Sequence, residues 1–178
     1  GIAVPRTQIE IVDVETGQRV LPAGAAGEVR ARGPQIMRGY RGRPDETAQA
    51  LRDGWLYTGD IGELDADGYL FIRDRKKDMV IVGGYNVYPR EVEEVLFAHP
   101  DIADAAVAGE PDAYRGEQIV AHVVLRAGAV RDAEALLAYC RERLSKYKIP
   151  QQVRFADALP KTPANKTDKL ALRSAARN

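Results

Sequence analysis

Alternation of polar and apolar residues organises the first part of the chain. Gln8-Ile9-Glu10-Ile11, with Val12 after it, and Glu28-Val29-Arg30-Ala31-Arg32 alternate polar and apolar residues, the period of a half-buried strand. Pro44-Asp45-Glu46-Thr47 starts a short helix predicted to end near Leu51, and Asp53-Gly54 marks the next turn. Trp55-Leu56-Tyr57 predicts a strand leading to a Gly59-Asp60 turn. Tyr69-Leu70-Phe71-Ile72 predicts the return strand of a hairpin after Asp67-Gly68. From Gly1 to about Ile72 the chain therefore reads as a β-meander or part of a barrel, small for an independent domain.

The rhythm then changes. Arg73-Asp74-Arg75-Lys76-Lys77-Asp78 is charged at every position and predicts a solvated connector. Beyond it, Val80 to Val82 is a short strand and Gly83-Gly84 a loop. Pro89 stands at the first position of a helix whose Val92, Val95 and Leu96 form one apolar stripe before His99-Pro100 ends it. Strands are predicted around Ala105 to Ala108 and Ile119 to Leu125. A helix over Asp132 to Leu144 buries Leu136, Leu137, Cys140 and Leu144. A strand near Val153 to Phe155 and a helix from about Leu170 to Ala176 complete the pattern. The fold class is α+β: a β-rich part, 1–76, followed by a small α+β part, 77–178.

Composition removes several classes of function. The 178 residues carry 26 Lys plus Arg and 26 Asp plus Glu, so there is no net positive field to hold a nucleic acid. Apolar runs such as Met79-Val80-Ile81-Val82 are far too short to cross a bilayer. Cys140 is the single cysteine, which points to a reducing, cytoplasmic compartment. Gly1 in place of an initiator methionine suggests a piece of something larger.

The chain holds no phosphate loop of the G-x-x-x-x-G-K-[ST] type and no dinucleotide fingerprint. Ser145 and Ser174, the only serines, lie outside any nucleophile elbow. His99 and His122 have no companions at metal-ligand spacing, so no metal site is expected. His122 reads as a core or edge histidine, and Cys140 as packing on a helix face.

Four segments can carry chemistry. Asp60, after Thr58-Gly59, offers a carboxylate able to take both hydroxyls of a ribose, although a bare turn of this type is common. The Arg75 guanidinium suits phosphate or diol oxygens; a solvent-facing charge is the plainer alternative. Gly83-Gly84 permits positive φ and close approach of a ligand to the backbone, or simply a turn from strand to helix. Lys166 follows the rigid segment Leu159-Pro160-Lys161-Thr162-Pro163-Ala164-Asn165 and is either a mobile charge for an anionic centre or an exposed lysine.

Order and spacing change the weighing. The succession Thr58-Gly59-Asp60, Asp67-Gly68-Tyr69-Leu70, Asp74 to Asp78, Gly83-Gly84-Tyr85-Asn86-Val87-Tyr88-Pro89-Arg90-Glu91, Tyr147-Lys148-Ile149-Pro150 and Leu159-Pro160-Lys161-Thr162 with Lys166 resembles the carboxyl-terminal part of the adenylate-forming (AMP-binding) enzymes. Among them it is most similar to the fatty-acyl- and aryl-CoA synthetases, over essentially the whole chain.

The resemblance implies that 1–76 is the β-rich, barrel-like end of the large AMP-binding domain and 77–178 a small mobile lid. It implies activation of a carboxylic acid by ATP to an acyl-adenylate, then transfer of the acyl group to coenzyme A with release of AMP. Asp60 then matches the ribose-binding aspartate, Arg75 the arginine at the ribose or phosphate, and Lys77 the hinge. Gly83 and Gly84 match the loop lining the pantetheine tunnel, and Lys166 the lysine that bridges substrate carboxylate and α-phosphate. Lys161 and Lys169 are left as bystanders.

The family commonly has Thr-Gly before its lysine. This chain has Ala164-Asn165, and asparagine tolerates positive φ well enough to keep the turn. Mg2+ is expected with ATP. Its ligands, the phosphate loop, the adenine pocket and the acyl pocket belong to the family's amino-terminal domain, the expected partner of this segment. A carrier-protein-loading adenylation domain, or a non-catalytic module retaining the fold, are the rival readings.

Overall fold

Apolar alternation on either side of residue 77 builds two separate sheets. The computed structural model describes residues 1–175 and divides into two units, Gly1–Lys77 and Asp78–Asn178. Ala176, the expected end of the last helix, lies outside the described residues. Among the described residues, no helix is long and apolar enough to cross a membrane.

The first unit is an antiparallel sheet of five strands: β1 (Gln8–Val12), β2 (Gly27–Arg32), β3 (Leu51–Arg52), β4 (Trp55–Leu64) and β5 (Leu70–Arg75). Strand order is β1-β2-β4-β3, with β5 also paired to β4. A short helix, α1 (Pro44–Ala50), leads straight into β3. Ile11 and Val29, register partners, are buried on one face, while Val12, Trp55 and Ile61 are buried on the other, where the Arg30 and Arg32 guanidiniums lie over the Trp55 ring.

Two expectations change here. β4 runs unbroken through Thr58, Gly59 and Asp60 where a turn was predicted. Nor is the charged hexamer a free connector. Arg73 to Arg75 are the last residues of β5, Asp74 is buried, and Lys76–Asp78 forms one 3-10 turn.

The second unit is α+β. Its sheet holds β6 (Val80–Val82), β7 (Tyr85–Val87), β8 (Ile102–Asp112), β9 (Gly116–Leu125) and β10 (Gln152–Phe155), in the order β10-β9-β6-β7 with β8 beside β9. β8 and β9 form a long hairpin, extending further than the apolar runs alone predict. β10 lies parallel to β9, as the intervening helix α3 (Ala133–Arg141) allows.

One face of this sheet carries Ala105, Val107, Ile119, Ala121 and Val123, and packs against Val92 and Leu96 of α2 (Pro89–Phe97) and Leu136 and Cys140 of α3. Asp132 caps α3 by accepting a hydrogen bond from the Ala135 amide at 2.9 Å. The helix ends at Arg141, yet Leu144 still packs on the core. Burial pushes the Cys140 thiol up from its ordinary value, which keeps it inert. On the opposite face Ala106 packs with Leu159 and with Leu172 of α4 (Lys169–Ala175).

His122 is 7% exposed, and its Nε2 meets no hydrogen-bond partner among the described residues. Beside it Arg154 pairs with Glu110, Nη1 to Oε1 at 2.5 Å and Nη2 to Oε2 at 2.8 Å. Burial first, and the Arg154 charge second, hold the imidazole below its ordinary 6.5, with Glu110 opposing. The unfolded chain therefore binds more protons between that value and the lower folded one. Stability falls as pH drops through this window and is indifferent to His122 above it. Urea midpoints at about pH 7.5 and about pH 5.5 should show a larger acid loss for the native chain than for His122→Gln. Equal losses would contradict the assignment.

Candidate functional site

Thr58, Gly59 and Asp60 form a bulge in β4, and that bulge makes the first candidate site. In the pairing with β2, Glu28 faces Ile61 while Arg30 faces Tyr57, so two extra residues bow out of β4. Gly59 takes φ 72°, a conformation that costs a side-chain-bearing residue dearly. The Thr58 hydroxyl pins the bow by donating to the Val29 carbonyl at 2.8 Å and accepting from the Asp60 amide at 3.1 Å.

On its other edge β4 places Asp60 directly opposite Arg75 of β5. Arg75 Nε lies 3.6 Å from Asp60 Oδ1, an ion pair too long to count as a hydrogen bond. Their side chains are 60% and 37% exposed, so the pair contributes little and opens readily to a polar ligand. Together with Thr58, Gly59, Lys76 and Lys77 they line a cleft of about 450 Å³. A carboxylate acceptor beside a fixed fork of donors suits a vicinal diol next to an anionic group.

Behind the cleft lies an ion pair that the sequence pattern hides. Glu28, 4% exposed, accepts from Lys76 Nζ at 2.7 Å across 48 residues of sequence. The Asp74 carboxylate turns inward and accepts from the Arg75 amide at 2.7 Å. The segment entering Lys77, last residue of the first unit, is thereby anchored.

The remaining candidates sit on two loops of the second unit. Gly83 and Gly84 join β6 to β7 as a two-residue hairpin with φ 55° and 85°, both in the left-handed region that glycine enters without strain. No heavy atom lies within 4 Å of where a Cβ would stand at either, so the loop's outer face is open. Tyr85 stacks on Tyr147 at 4.8 Å just beyond it.

Lys166 closes a second hairpin. Asn165 donates from its amide to the Thr162 carbonyl at 2.8 Å, and the Thr162 amide donates to the Lys166 carbonyl at 2.7 Å. Lys161 and Thr167 bridge its arms. Pro163 fits the first turn position, and Asn165 takes φ 58°, the left-handed step such a three-residue loop requires. Asparagine thus does glycine's work here.

The three lysines of this segment differ. Lys161 Nζ lies 2.7 Å from Asp104 Oδ2, and Lys169 Nζ lies 2.7 Å from Glu93 Oε1. Lys166 is exposed and has no ion pair among the described residues.

Residues 91–166 match the AMP-binding enzyme C-terminal domain. The chain is 51% identical over 166 residues to a long-chain-fatty-acid–CoA ligase of Bacillus subtilis (strain 168), covering 93% of this chain and 30% of that relative. It is 47% identical over 162 residues to a 2-succinylbenzoate–CoA ligase of Geobacillus kaustophilus (strain HTA426), covering 91% of this chain and 33% of that relative. ATP-bound MatB from Rhodopseudomonas palustris superposes with a TM-score of 0.92 at 38% identity, over 100% of this chain and 35% of that one. The chain spans about a third of the length of the relatives it matches.

The Glu28–Lys76 pair yields a stability prediction. Lys76→Met leaves a buried carboxylate without its counter-charge and should destabilise the first unit by about 1–3 kcal/mol. Trp55, the single tryptophan, is buried in that unit and reports its unfolding by fluorescence. An unchanged denaturation midpoint would remove the pair's structural role. On fold, matched segment and relatives together, the chain belongs to the carboxyl-terminal part of the adenylate-forming enzymes.

Proposed function

We propose that the protein carrying this chain is an AMP-forming acid–CoA ligase, with a fatty acid as its carboxylic substrate. The fatty-acid reading leans on the 51% identity to a long-chain-fatty-acid–CoA ligase; the 2-succinylbenzoate ligase at 47% shows how close an aryl substrate lies. In the first half-reaction a carboxylate oxygen attacks the α-phosphorus of ATP and the bond to pyrophosphate breaks. In the second, the thiol sulfur of coenzyme A attacks the acyl carbonyl and AMP leaves.

Asp60 accepts from the ribose hydroxyls, and Arg75 donates to ribose or phosphate oxygens. Lys166 spans the substrate carboxylate and α-phosphate. Its ammonium neutralises charge that grows at the phosphoryl oxygens in the transition state, where one such donor is worth roughly 10²–10³ in rate. Gly83 and Gly84 line the passage for pantetheine. Lys77 is the hinge about which 78–178 moves as a lid, withdrawing the ammonium before the thiol arrives. Mg2+ accompanies ATP, held by residues outside this chain.

The observation that carries this reading is the presentation of Lys166. Of three lysines in one short hairpin segment, it alone has no carboxylate partner among the described residues, on a turn that aims it outward.

In the full-length enzyme, Lys166→Ala should cut acyl-adenylate formation by roughly 10²–10³ while sparing thioester formation from supplied acyl-adenylate. Gly84→Trp should do the reverse. Pyrophosphate release and thioester formation, followed separately in single-turnover assays, check both. Loss of the same half-reaction in both variants would end the two-step assignment. The isolated chain should release no pyrophosphate from ATP and a fatty acid, and release at the full-length rate would refute the need for an upstream phosphate loop.

A further inference from the structure

Glu93 lies on α2, nine residues beyond Gly84, and its carboxylate is in demand from two sides. Oε1 accepts from the Val107 amide of β8 at 2.8 Å and pairs with Lys169 Nζ at 2.7 Å. The two side chains of that pair are only 14% and 19% exposed. Lys169 is the first residue of α4 and stands three residues beyond Lys166.

At the other end of the hairpin, Lys161 Nζ pairs with Asp104 of β8 at 2.7 Å and donates to Thr167 Oγ1 at 3.1 Å. The Asp168 amide donates to the Pro160 carbonyl at 2.8 Å and closes the base of the loop. Asp168 Oδ1 in turn accepts from the amides of Leu170 and Ala171, starting α4.

We propose that Glu93 and Asp104 are positioning residues for adenylation: their ion pairs with Lys169 and Lys161 clamp the two ends of the Lys166 hairpin to α2 and β8 and fix the reach of its ammonium. The inference rests on the catalytic reading of Lys166 given above. Its logic is geometric. A side chain that must meet an oxygen at hydrogen-bond distance tolerates little drift of its backbone, and a misplacement of about 1 Å costs up to 10²-fold in rate. A hairpin of seven residues held only by its own turn bonds would drift. Anchored at both ends to one strand and one helix, it cannot. The clamp also removes two of three ammonium groups from competition for the phosphate.

The test uses the full-length enzyme and both half-reactions. Glu93→Gln keeps an acceptor for the Val107 amide but removes the charge; Lys169→Met and Lys161→Met remove the other partners at similar length. Each should slow acyl-adenylate formation about tenfold or more and leave thioester formation from supplied acyl-adenylate within about twofold. Lys169→Arg should recover most of the lost adenylation. If Lys169→Met does not fold, Lys161→Met, at the more exposed pair, carries the same comparison.

Hydrogen exchange supplies a readout independent of catalysis. In Glu93→Gln the bonded amides of Thr162 and Asn165 should exchange faster than in the native chain. Unaltered adenylation, equal slowing of both half-reactions, or unaltered exchange at those amides overturns the clamp. Should Lys166→Ala retain adenylation, the catalytic reading itself fails, an outcome distinct from clamp variants that stay active beside an inactive Lys166→Ala.

Discussion

Charge neutralisation on one hairpin governs how the second unit presents its chemistry. Lys161, Lys166 and Lys169 crowd one short segment, and like charges so close destabilise a fold unless they are paired or solvated. Asp104 and Glu93 neutralise two of them. The third is left in solvent at the tip of a turn whose geometry is set by Pro163 and Asn165. Neutralising the outer pair and leaving the middle one is what turns a basic loop into a single aimed cation.

The first unit solves the opposite problem. Asp60 and Arg75 face one another across two strands, and a tight ion pair there would resist any ligand. The bulge at Gly59 relaxes the contact to 3.6 Å, while tighter bonds behind it hold the frame: Thr58 to Val29, Lys76 to Glu28, and Asp74 to the Arg75 backbone. Rigid support beneath weakly engaged polar groups leaves those groups placed yet free to meet a polar ligand.

Periodicity made most of the architecture legible. Val92, Val95 and Leu96 announced α2 with its Pro89 start, and Gln8 to Val12 announced β1, because burial on one face leaves its period in the sequence. What stayed hidden depends on distant partners. Gly59 looked like a turn because a bulge becomes visible only when Glu28 and Arg30 are set opposite it. Arg73 to Asp78 looked like a solvated connector because Glu28, which pairs with one of its charges, lies 48 residues away. Tyr85–Val87 was missed as a strand since two glycines serve many turns, and only both at positive φ make a hairpin. Asp60 and Arg75 were named from the sequence, but their facing register was not. The three lysines look alike in sequence; carboxylates on α2 and β8 distinguish them.

The most direct test of this account is a reactivity footprint of the chain under limiting acetic anhydride, read lysine by lysine by peptide mass spectrometry. An ammonium group held against a carboxylate is sterically shielded from the reagent, whereas one standing in solvent is open to it. The account predicts that Lys166 is modified severalfold faster than Lys161 or Lys169, and that Glu93→Gln brings Lys169 up to its rate. Equal modification of all three in the native chain would contradict it.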